Sequence, residues 1–451
     1  MSSNFCLSKR FSKRFSKRLS PRSATRFVLS PLLALTGLAL SAHPQNSHAG
    51  IYDEGYLNPT QGWRVLQNDF EKNTPIDIVT FEWDYFMIHN RDGRFNGILG
   101  YVVGNPRERL KNLVEVVPNG GNMAIVAEID GKTPISNYTN FGFAHSTYSV
   151  NERRMTGNDP VRGQYALIEP AFGQGALLEP ALHLTGRSAD YEWDVIVKAD
   201  WTERDAARNY NDAAFSVAHG SEVGIFKSEK WAVDAVWPRT DIQGTLKVLA
   251  TNETVKIDAK GYREDSWGTW LLSIDGWDFM VFSEFKDKGV LLSMQTYHRS
   301  TSMDFLDASF YDGDELVTAR FRPTRDELGW NHPQWKWDAR AHQCVPQNTE
   351  IVAQNDQYRI EAHVEIGSRQ VPILSNKTIG TRIYFIQEHF PHVTGVIRNI
   401  QTGKVVTNFD GQAGGEFSFT KKLLGKASTD SQCKTWGDRK FSSPLPDAPM
   451  N

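Results

Sequence analysis

The sequence predicts an all-β fold divided between two domains. Apolar and polar residues alternate with a period of two along much of the chain, and long amphipathic helical patterns are missing. At 451 residues the chain is too long for one ordinary hydrophobic core. Aromatic residues make up 12 % of the composition, a share that suits sheets and apolar ligand sites.

The N-terminus has the composition of a targeting segment. Eight Lys or Arg lie in the first 26 residues, an apolar run follows at 27–42, and Ser47 and Ala49 are small residues at the positions that a signal peptidase inspects. We therefore expect residues 1–49 to be a signal peptide and the mature chain to be secreted or periplasmic. A transit peptide or a two-part signal leading to an organelle lumen is the alternative, because no acidic residue precedes Asp53.

Charge and hydropathy exclude two classes of partner for the mature chain. Cleavage would remove eight of 50 basic residues and no acidic ones, leaving 42 against 53 acidic residues and a net charge of −11. A nucleic-acid partner is therefore not expected, because binding to phosphates needs a positive surface. The one strongly apolar run is short for a membrane span and lies in the leader, so no stable span is expected after cleavage.

Two of the three cysteines remain after cleavage. Cys6 lies in the leader, whereas Cys344 and Cys433 lie in the mature chain. In an oxidising compartment such a pair favours a disulfide that ties the C-terminal tail to the second domain. Two unpaired thiols are the alternative.

Strand patterns follow one another from the leader to the tail. Arg91, Asp92, Gly93 and Arg94 form a turn signal between two apolar runs and predict a hairpin. The predicted strands are 76–90, 95–103, 123–129, 191–201, 244–251, 254–260, 271–285, 290–297, 303–311, 315–321, 358–366, 381–390 and 393–400. These runs place the domains at 50–240 and 241–420, followed by a polar tail at 421–451.

Two segments depart from the strand pattern. Residues 151–190 contain glycines and a repeated Glu-Pro-Ala, and we expect them to form a long irregular loop at the mouth of a site. Residues 203–218 are the one candidate helix, and their pattern is poor.

The densest group of polar and aromatic residues lies at 261–270. Strand alternation would place Arg263 and Asp265 on one face and Tyr262 and Glu264 on the other. A carboxyl group held among aromatic rings in a water-poor cavity can remain protonated near neutrality and donate a proton. The alternative is a sheet corner whose acids balance Arg263 and face solvent.

Two stretches resemble the signatures of the AttH and carotenoid 1,2-hydratase superfamily. The first is Phe-Glu-Trp-Asp-Tyr-Phe at 81–86, followed by the Asp-Gly turn at 92–93. The second comprises Trp-Pro-Arg at 237–239, Gly-Thr-Leu at 244–246 and the segment 261–268. The family motif at that last segment is Tyr-His-Asp-His-Asn-Trp-Gly, and the resemblance spans most of residues 52–400.

The resemblance implies two lipocalin-like antiparallel β-barrels packed together, with an apolar cavity near their junction. Relatives in the superfamily include tocopherol cyclases, kievitone hydratase and fungal pericyclases. Their reactions add water or close rings at carbon–carbon double bonds without a metal or redox cofactor. The resemblance therefore implies no cofactor and no metal for this chain.

Position by position, the motif is partly kept. Tyr262 matches its Tyr, Glu264 stands at its Asp and Ser266 at its Asn, while Trp267 and Gly268 are unchanged.

Three positions differ from the family signatures. Arg263 and Asp265 replace the two histidines, and Asp84 replaces the second Trp of the opening signature.

The resulting hypothesis is a hydratase or cyclase that acts by acid catalysis on an unsaturated, apolar small molecule such as a terpenoid, carotenoid or polyketide. Glu264 or Asp265 would be the acid and Tyr262 its partner. The residues expected to bind the substrate are Glu82, Trp83, Asp84, Trp267, Trp270 and Tyr297. A carrier of an apolar ligand without catalysis is the alternative, since barrels of this kind also bind ligands by their cavity alone.

Overall fold

The computed structural model is all-β, which confirms the predicted fold class. It describes residues 63, 81–104, 120–149, 152–171, 181–200, 218–223, 229–268, 274–285, 289–298, 304–322, 326–340, 343–379, 382–419, 421–422 and 433. The leader, residues 203–217 of the candidate helix and most of the tail lie outside the described residues.

Twelve strands in the first part of the chain form one antiparallel sheet. They are β1 (Phe81–Asn90), β2 (Phe95–Gly104), β3 (Gly120–Ile129), β4 (Ile135–Gly142), β5 (Ser146–Tyr148), β6 (Met155–Asp159), β7 (Gln164–Pro170), β8 (Ala181–Arg187), β9 (Tyr191–Ala199), β10 (Ala218–Val223), β11 (Glu229–Val248) and β12 (Glu253–Gly268). The order across the sheet is β4-β3-β2-β1-β12-β11-β9-β8-β7-β6-β5, and β10 pairs with β11.

The first sheet curls into a nearly closed barrel. Its two ends meet where the Gly121 N–H donates to Ser146 Oγ at 2.8 Å and the Thr139 hydroxyl donates to Gln164 Oε1 at 3.1 Å. The interior contains an apolar core that includes Phe86, Tyr101, Trp193, Trp237 and Ile257, all buried.

The second part of the chain forms two larger sheets and one two-stranded ribbon. Its strands are β13 (Ile274–Phe285), β14 (Gly289–His298), β15 (Phe305–Asp312), β16 (Glu315–Phe321), β17 (Glu327–Asn331), β18 (Trp335–Asp338), β19 (Gln343–Pro346), β20 (Asn348–Gln354), β21 (Tyr358–Glu365), β22 (Gln370–Ile379), β23 (Arg382–His389), β24 (His392–Asn399), β25 (Lys404–Gln412), β26 (Gly414–Phe419) and β27 (Lys421–Lys422). One sheet has the order β16-β15-β14-β13-β26-β23-β22, with β27 beside β23, and the other has the order β17-β20-β21-β24-β25. Their inner faces share one core, which includes Phe282, Phe310, Trp330, Tyr358 and Phe409.

A third core lies between the outer face of β1 and β12 and the sheet that contains β13. It includes Tyr85, Met87, Tyr262, Trp277 and Phe279. Both faces of β1 and β12 are therefore covered, and the described side chains of these strands are buried from Tyr85 to Asn90 and from Gly261 to Ser266. Strands buried on both faces hold the polar residues of the two family-like signatures away from water.

The expected loop at 151–190 is wrong. This region contains β6, β7 and β8, which pair with one another as part of the barrel wall. The burial of β7 alternates between buried and half-buried positions from Gln164 to Glu169. Gly163 has φ of +63° in the turn before it, so the glycine that suggested a loop serves a tight hairpin.

The predicted strands around the 261–270 cluster are shorter than the observed ones. The cluster does not lie beyond the end of a strand, because β12 runs unbroken to Gly268. β11 continues across the predicted boundary at 240/241 and pairs with β9 and β12, so the first sheet includes residues on both sides of that boundary. The division into two domains stays a prediction.

The predicted disulfide is present. Cys344 and Cys433 are bonded across 89 residues, with their Cα atoms 5.5 Å apart. Both cysteines are buried with Trp335, Val345 and Phe417. The bond is consistent with folding in an oxidising compartment.

The part of the chain that the structure describes has no helix that is long and apolar enough to span a bilayer.

Gly261 is required by the close approach of β12 to β1. A Cβ at this position would lie 1.9 Å from the carbonyl oxygen of Met87. We expect Gly261→Ala to lower the free energy of unfolding by at least about 1–3 kcal/mol, because a backbone atom cannot yield as a side chain can. Urea denaturation checks this, with Gly329→Ala as the control, since a Cβ there meets nothing within 4 Å. Equal losses in the two variants would contradict the packing argument.

Candidate active site

The two family-like signatures lie side by side as neighbouring antiparallel strands. β1 pairs with β12 so that Asp84 lies opposite Asp265 and Tyr85 lies opposite Glu264. Strand alternation sends Asp84 and Asp265 into the barrel and sends Tyr85 and Glu264 toward β13. The adjacent acids Glu264 and Asp265 therefore do not share a pocket.

The barrel-facing side holds a group of buried ions that we call the arginine cluster: Glu82, Asp84, Arg153, Arg263 and Asp265. Arg263 is fully buried and binds Asp84 through two parallel contacts, Nε to Oδ1 at 2.9 Å and Nη2 to Oδ2 at 3.1 Å. Its guanidinium also lies over the ring of Trp237, 4.4 Å from the centroid. This geometry satisfies the charge of Asp84 in a place without water.

Arg153 connects the remaining acids of the arginine cluster. It contacts Glu82, lies 2.8 Å from Asp265 Oδ2 and lies 3.5 Å from Asp84 Oδ2. Burial acts to lower the pKa of Arg153, but the charges of Asp265, Glu82 and Asp84 outweigh burial and raise it. Asp265 is thus held by a permanent cation, which favours the ionised carboxylate over a proton donor.

Trp63, which precedes β1 in the sequence, also contacts the Arg153 guanidinium. The guanidinium lies 4.6 Å from the ring centroid of Trp63, and the Trp63 indole N–H donates to the carbonyl of Arg154 at 3.0 Å. Trp63 is fully buried. A residue that precedes β1 therefore covers the arginine cluster.

The opposite face holds a second group that we call the acid cluster: Tyr85, Tyr262, Glu264, Glu388 and Glu416. The Tyr262 hydroxyl donates to Glu264 Oε2 at 3.0 Å, and the Tyr85 hydroxyl donates to Glu388 Oε2 at 3.0 Å. The structure therefore brings the predicted pair Tyr262 and Glu264 together.

Glu388 and Glu416 lie directly opposite each other on β23 and β26. Burial raises the pKa of Glu388, and the charge of Glu416 raises it further. Burial also raises the pKa of Glu416, to about 7, although hydrogen bonds with Glu388 and with the Trp277 indole N–H oppose this shift. Two carboxyl groups so placed cannot both ionise without large repulsion, so the pair retains a proton near neutral pH.

The surroundings of the acid cluster are apolar and aromatic. Phe279 lies 6.3 Å from the ring of Tyr85 and 6.4 Å from the ring of Tyr262. Trp83 is half-buried and packs against the same core, and its buried indole N–H has no hydrogen-bond partner among the described residues. Burial is also the first cause of the raised pKa of Tyr85, followed by the charge of Glu388.

Three predicted substrate-binding residues cannot be placed. Trp270 lies outside the described residues, and the side chains of Trp267 and Tyr297 are not described. The backbones of Trp267 and Tyr297 lie in β12 and β14. Glu82 and Asp84 belong to the arginine cluster, and Trp83 belongs to the other face.

Sequence reasoning missed Tyr85, Arg153, Trp277, Glu388 and Glu416. Arg153 lies in the segment taken for an irregular loop. Glu388 and Glu416 lie on strands whose alternation could have flagged an acid at an inward position, but their pairing depends on two strands that are distant in sequence. Within the described ranges, no group of three His, Cys, Asp or Glu side chains is arranged as metal ligands.

A third buried titratable group lies on the reverse face of β13, β26 and β23. His332 Nε2 lies 3.4 Å from Asp278 Oδ2, and its Nδ1 lies 2.9 Å from Thr349 Oγ1. Burial raises the pKa of Asp278 to about 7 and lowers the pKa of His332 to about 4. Burial also lowers the pKa of His389 to about 3, with a smaller effect from His332. These groups are therefore neutral between about pH 4 and pH 7.

These shifts predict that stability falls as pH rises through neutrality. Because the pKa of Asp278 is raised from 3.8 to about 7 by folding, its contribution is complete below pH 3.8 and is lost as pH rises to 7. His332 acts in the opposite sense, because its contribution is complete above pH 6.5 and is lost as pH falls to 4. Between pH 6.5 and 7 the histidines of the unfolded chain are losing their protons, so the carboxyl groups with raised pKa have the larger effect, each reducing the free energy of unfolding by up to about 1.4 kcal/mol per pH unit.

Urea denaturation at a series of pH values tests this. Asp278→Asn should make the decline shallower between pH 6 and 7, whereas Asp130→Asn should not. Asp130 is a suitable control because it is an exposed partner of Arg94 whose pKa is lowered by that contact. A wild-type curve that rises between pH 6 and 7 would contradict the assignment.

Comparisons with known proteins bear on the fold. No family model matches the sequence, and no curated protein matches it significantly. Among solved structures, CghA in complex with Sch210972 matches over 82 % of this chain and 96 % of its own, with a TM-score of 0.50 and 11 % sequence identity. Kievitone hydratase from Nectria haematococca matches over 81 % of this chain and 97 % of its own, with a TM-score of 0.49 and 11 % identity.

An AttH protein from Nitrosomonas europaea matches over 75 % of this chain and 92 % of its own, with a TM-score of 0.44 and 12 % identity. At these identities the similarity concerns the fold alone. The all-β barrel fold expected from the AttH resemblance is confirmed, and it is similar to the fold of CghA.

Proposed function

We propose that this chain is a hydratase or cyclase that uses the acid cluster to protonate a carbon–carbon double bond of an unsaturated, apolar small molecule. A terpenoid, a carotenoid or a polyketide has the required chemistry. The observation that carries the proposal is the buried pair Glu388 and Glu416, which keeps a proton near pH 7 among aromatic side chains. A general acid is most effective when its pKa lies near the working pH.

The proton would leave the carboxyl group of the Glu388 and Glu416 pair and form a C–H bond with the π electrons of the alkene. The neighbouring carbon then becomes cationic, and the carboxylate left behind lies close to the new charge. Addition of water at that carbon, with return of a proton to the carboxylate, gives hydration. Attack by a second double bond of the same molecule, followed by loss of a proton to the carboxylate, gives a ring. Neither route consumes a cofactor.

Other members of the acid cluster have supporting roles in this proposal. Tyr85 holds Glu388 through its hydroxyl, and the Trp277 indole N–H holds Glu416 at 2.5 Å. Glu264, with Tyr262, supplies a further carboxyl group that can orient water or accept the final proton. Aromatic faces such as those of Trp83 and Trp277 favour a developing cation. Asp265, which is held by Arg153, orders the strand and does not donate the proton.

We also propose that the protein works outside the cytoplasm after cleavage near Ala49. The Cys344–Cys433 disulfide supports an oxidising compartment, and the composition of residues 1–49 supports export. The ligand would then be taken from, or released into, a secreted or lumenal space.

Native mass spectrometry of the protein purified from its own host tests the proposed function, followed by extraction and identification of any bound molecule. The proposal expects an unsaturated molecule in the Glu416→Gln variant and its hydrated or cyclised form in the wild type. The same molecule in both proteins would overturn catalysis and leave a carrier. A molecule without carbon–carbon double bonds bound to the Glu416→Gln variant would overturn the substrate class.

A further inference from the structure

β26, the strand that carries Glu416, has few large side chains that could pack against the rest of the protein. Its first two residues are Gly414 and Gly415, and the next three are Glu416, Phe417 and Ser418. Among these five residues Phe417 is the one large apolar side chain. Because strand side chains alternate, Phe417 points away from the acid cluster on the face opposite to Glu416.

Phe417 is anchored in a compact cluster on that reverse face. It packs with Trp335, Cys344 and Cys433, and its ring centroid lies 5.7 Å from that of Trp335 at an interplanar angle of 70°. The disulfide closes this cluster by joining residues that are 89 positions apart in the sequence. Phe417 is therefore held by an aromatic neighbour, Trp335, and by two cysteines that are covalently joined to each other.

The pairing of β26 with its two neighbouring strands couples the position of Phe417 to those of Glu416 and Glu388. Phe417 pairs with Asp278 on β13 and with Gln387 on β23. One residue away, Glu416 pairs with Phe279 and Glu388. A displacement of Phe417 along or away from the sheet therefore changes how Glu416 faces Glu388.

The two glycines that precede Glu416 have no side chain that could hold β26 in place. The positions where their side chains would lie are filled, since a Cβ on Gly415 would be 2.4 Å from His389 Nε2 and a Cβ on Gly414 would be 2.2 Å from Met87 Cε. Side chains from neighbouring strands thus fill the space beside both glycines, and among the described side chains of β26 the large apolar one is that of Phe417.

We infer that Phe417, fixed by Trp335 and the Cys344–Cys433 disulfide, is the positioning residue that keeps Glu416 packed against Glu388. This inference rests on the proposed function, because it concerns the same acid pair. Loss of the anchor loosens β26 and admits water to the pair, and hydration favours the charged form of a carboxyl group. The disulfide then helps to keep the pKa of the acid pair raised, although the pair lies on the other side of the sheet.

Carboxyl ¹³C NMR of protein labelled at glutamate tests the inference by giving the pH midpoint of the pair. Phe417→Leu should lower that midpoint by about one pH unit relative to wild type, as expected for partial hydration of a buried carboxyl group. The double variant Cys344→Ala with Cys433→Ala should shift it in the same direction. The matched control is Phe310→Leu, because Phe310 is equally buried but packs against Tyr358 at 5.0 Å, away from β26.

The outcomes separate the two proposals. A wild-type midpoint near 7 that stays unchanged in Phe417→Leu overturns the positioning role and leaves the proposed function standing. An equal shift in Phe310→Leu also overturns it, because the effect would then be general loosening. A wild-type midpoint near 4.5 overturns both proposals. Phe417→Leu removes little volume, so it keeps the test decisive if the cysteine variant does not fold.

Discussion

Replacing Arg153 by Met is expected to lower the free energy of unfolding by about 3–5 kcal/mol, the range typical for breaking a buried ion pair from one side. Arg153 is almost fully buried and faces Glu82, Asp84 and Asp265. Without it, Glu82 and Asp265 lose their contacts with a buried guanidinium, and burial limits how far water can replace those contacts. Methionine keeps an apolar side chain over Trp63. The lost stability therefore comes mainly from removing the guanidinium charge and less from removing side-chain volume.

Urea denaturation of wild type and variant measures this loss. Arg162→Met is the control, because Arg162 is half exposed and pairs with Asp159 at the surface, where an ion pair contributes about 0–1 kcal/mol. Adding Asp265→Asn to Arg153→Met should restore part of the stability by removing one of the carboxylates that Arg153 contacts in the wild type. A single variant as stable as wild type would mean that the arginine cluster does not hold β1 and β12 together.

Glu416→Gln is expected to reduce turnover of the molecule recovered from the protein by about 100- to 10,000-fold, the range for loss of a general acid. Glutamine can still accept the indole hydrogen bond of Trp277, so the packing of β26 should survive. Glu388→Gln should have an effect of similar size, since the proton belongs to the pair and not to one residue.

Asp278→Asn is the matched control for the acid pair. Asp278 is buried and its pKa is raised to about 7, as for Glu416, but its side chain lies on the reverse face of the same strands. Asp278→Asn should change how the free energy of unfolding depends on pH and should leave turnover within a few-fold of wild type. Equal losses in Asp278→Asn and Glu416→Gln would assign the effect to sheet integrity instead of acid catalysis.

The sequence sufficed to predict features that depend on local alternation. The hairpin between β1 and β2, the opposite faces of Glu264 and Asp265, and the all-β class follow from side-chain periodicity, which does not need the rest of the fold. The disulfide followed from the count of cysteines in an oxidising compartment.

Features that depend on long-range pairing were beyond sequence reasoning. Glu388 and Glu416 became neighbours because β23 and β26 pair, and they meet Tyr85 because a different sheet packs against β1. The contact of Asp265 with Arg153 likewise joins residues 112 positions apart in the sequence. The segment 151–190 was taken for a loop because its glycines outweighed a short alternation that is evident once β6, β7 and β8 are paired.

The central claim is that Glu388 and Glu416 share a proton at neutral pH. Carboxyl ¹³C NMR of the wild-type protein between pH 4 and pH 9 tests this most directly, with Glu388→Gln and Glu416→Gln used to assign the signals. The account predicts that at least one carboxyl group of the pair titrates near pH 7 or above. Titration of both groups near the ordinary glutamate value of about 4.3 would contradict it.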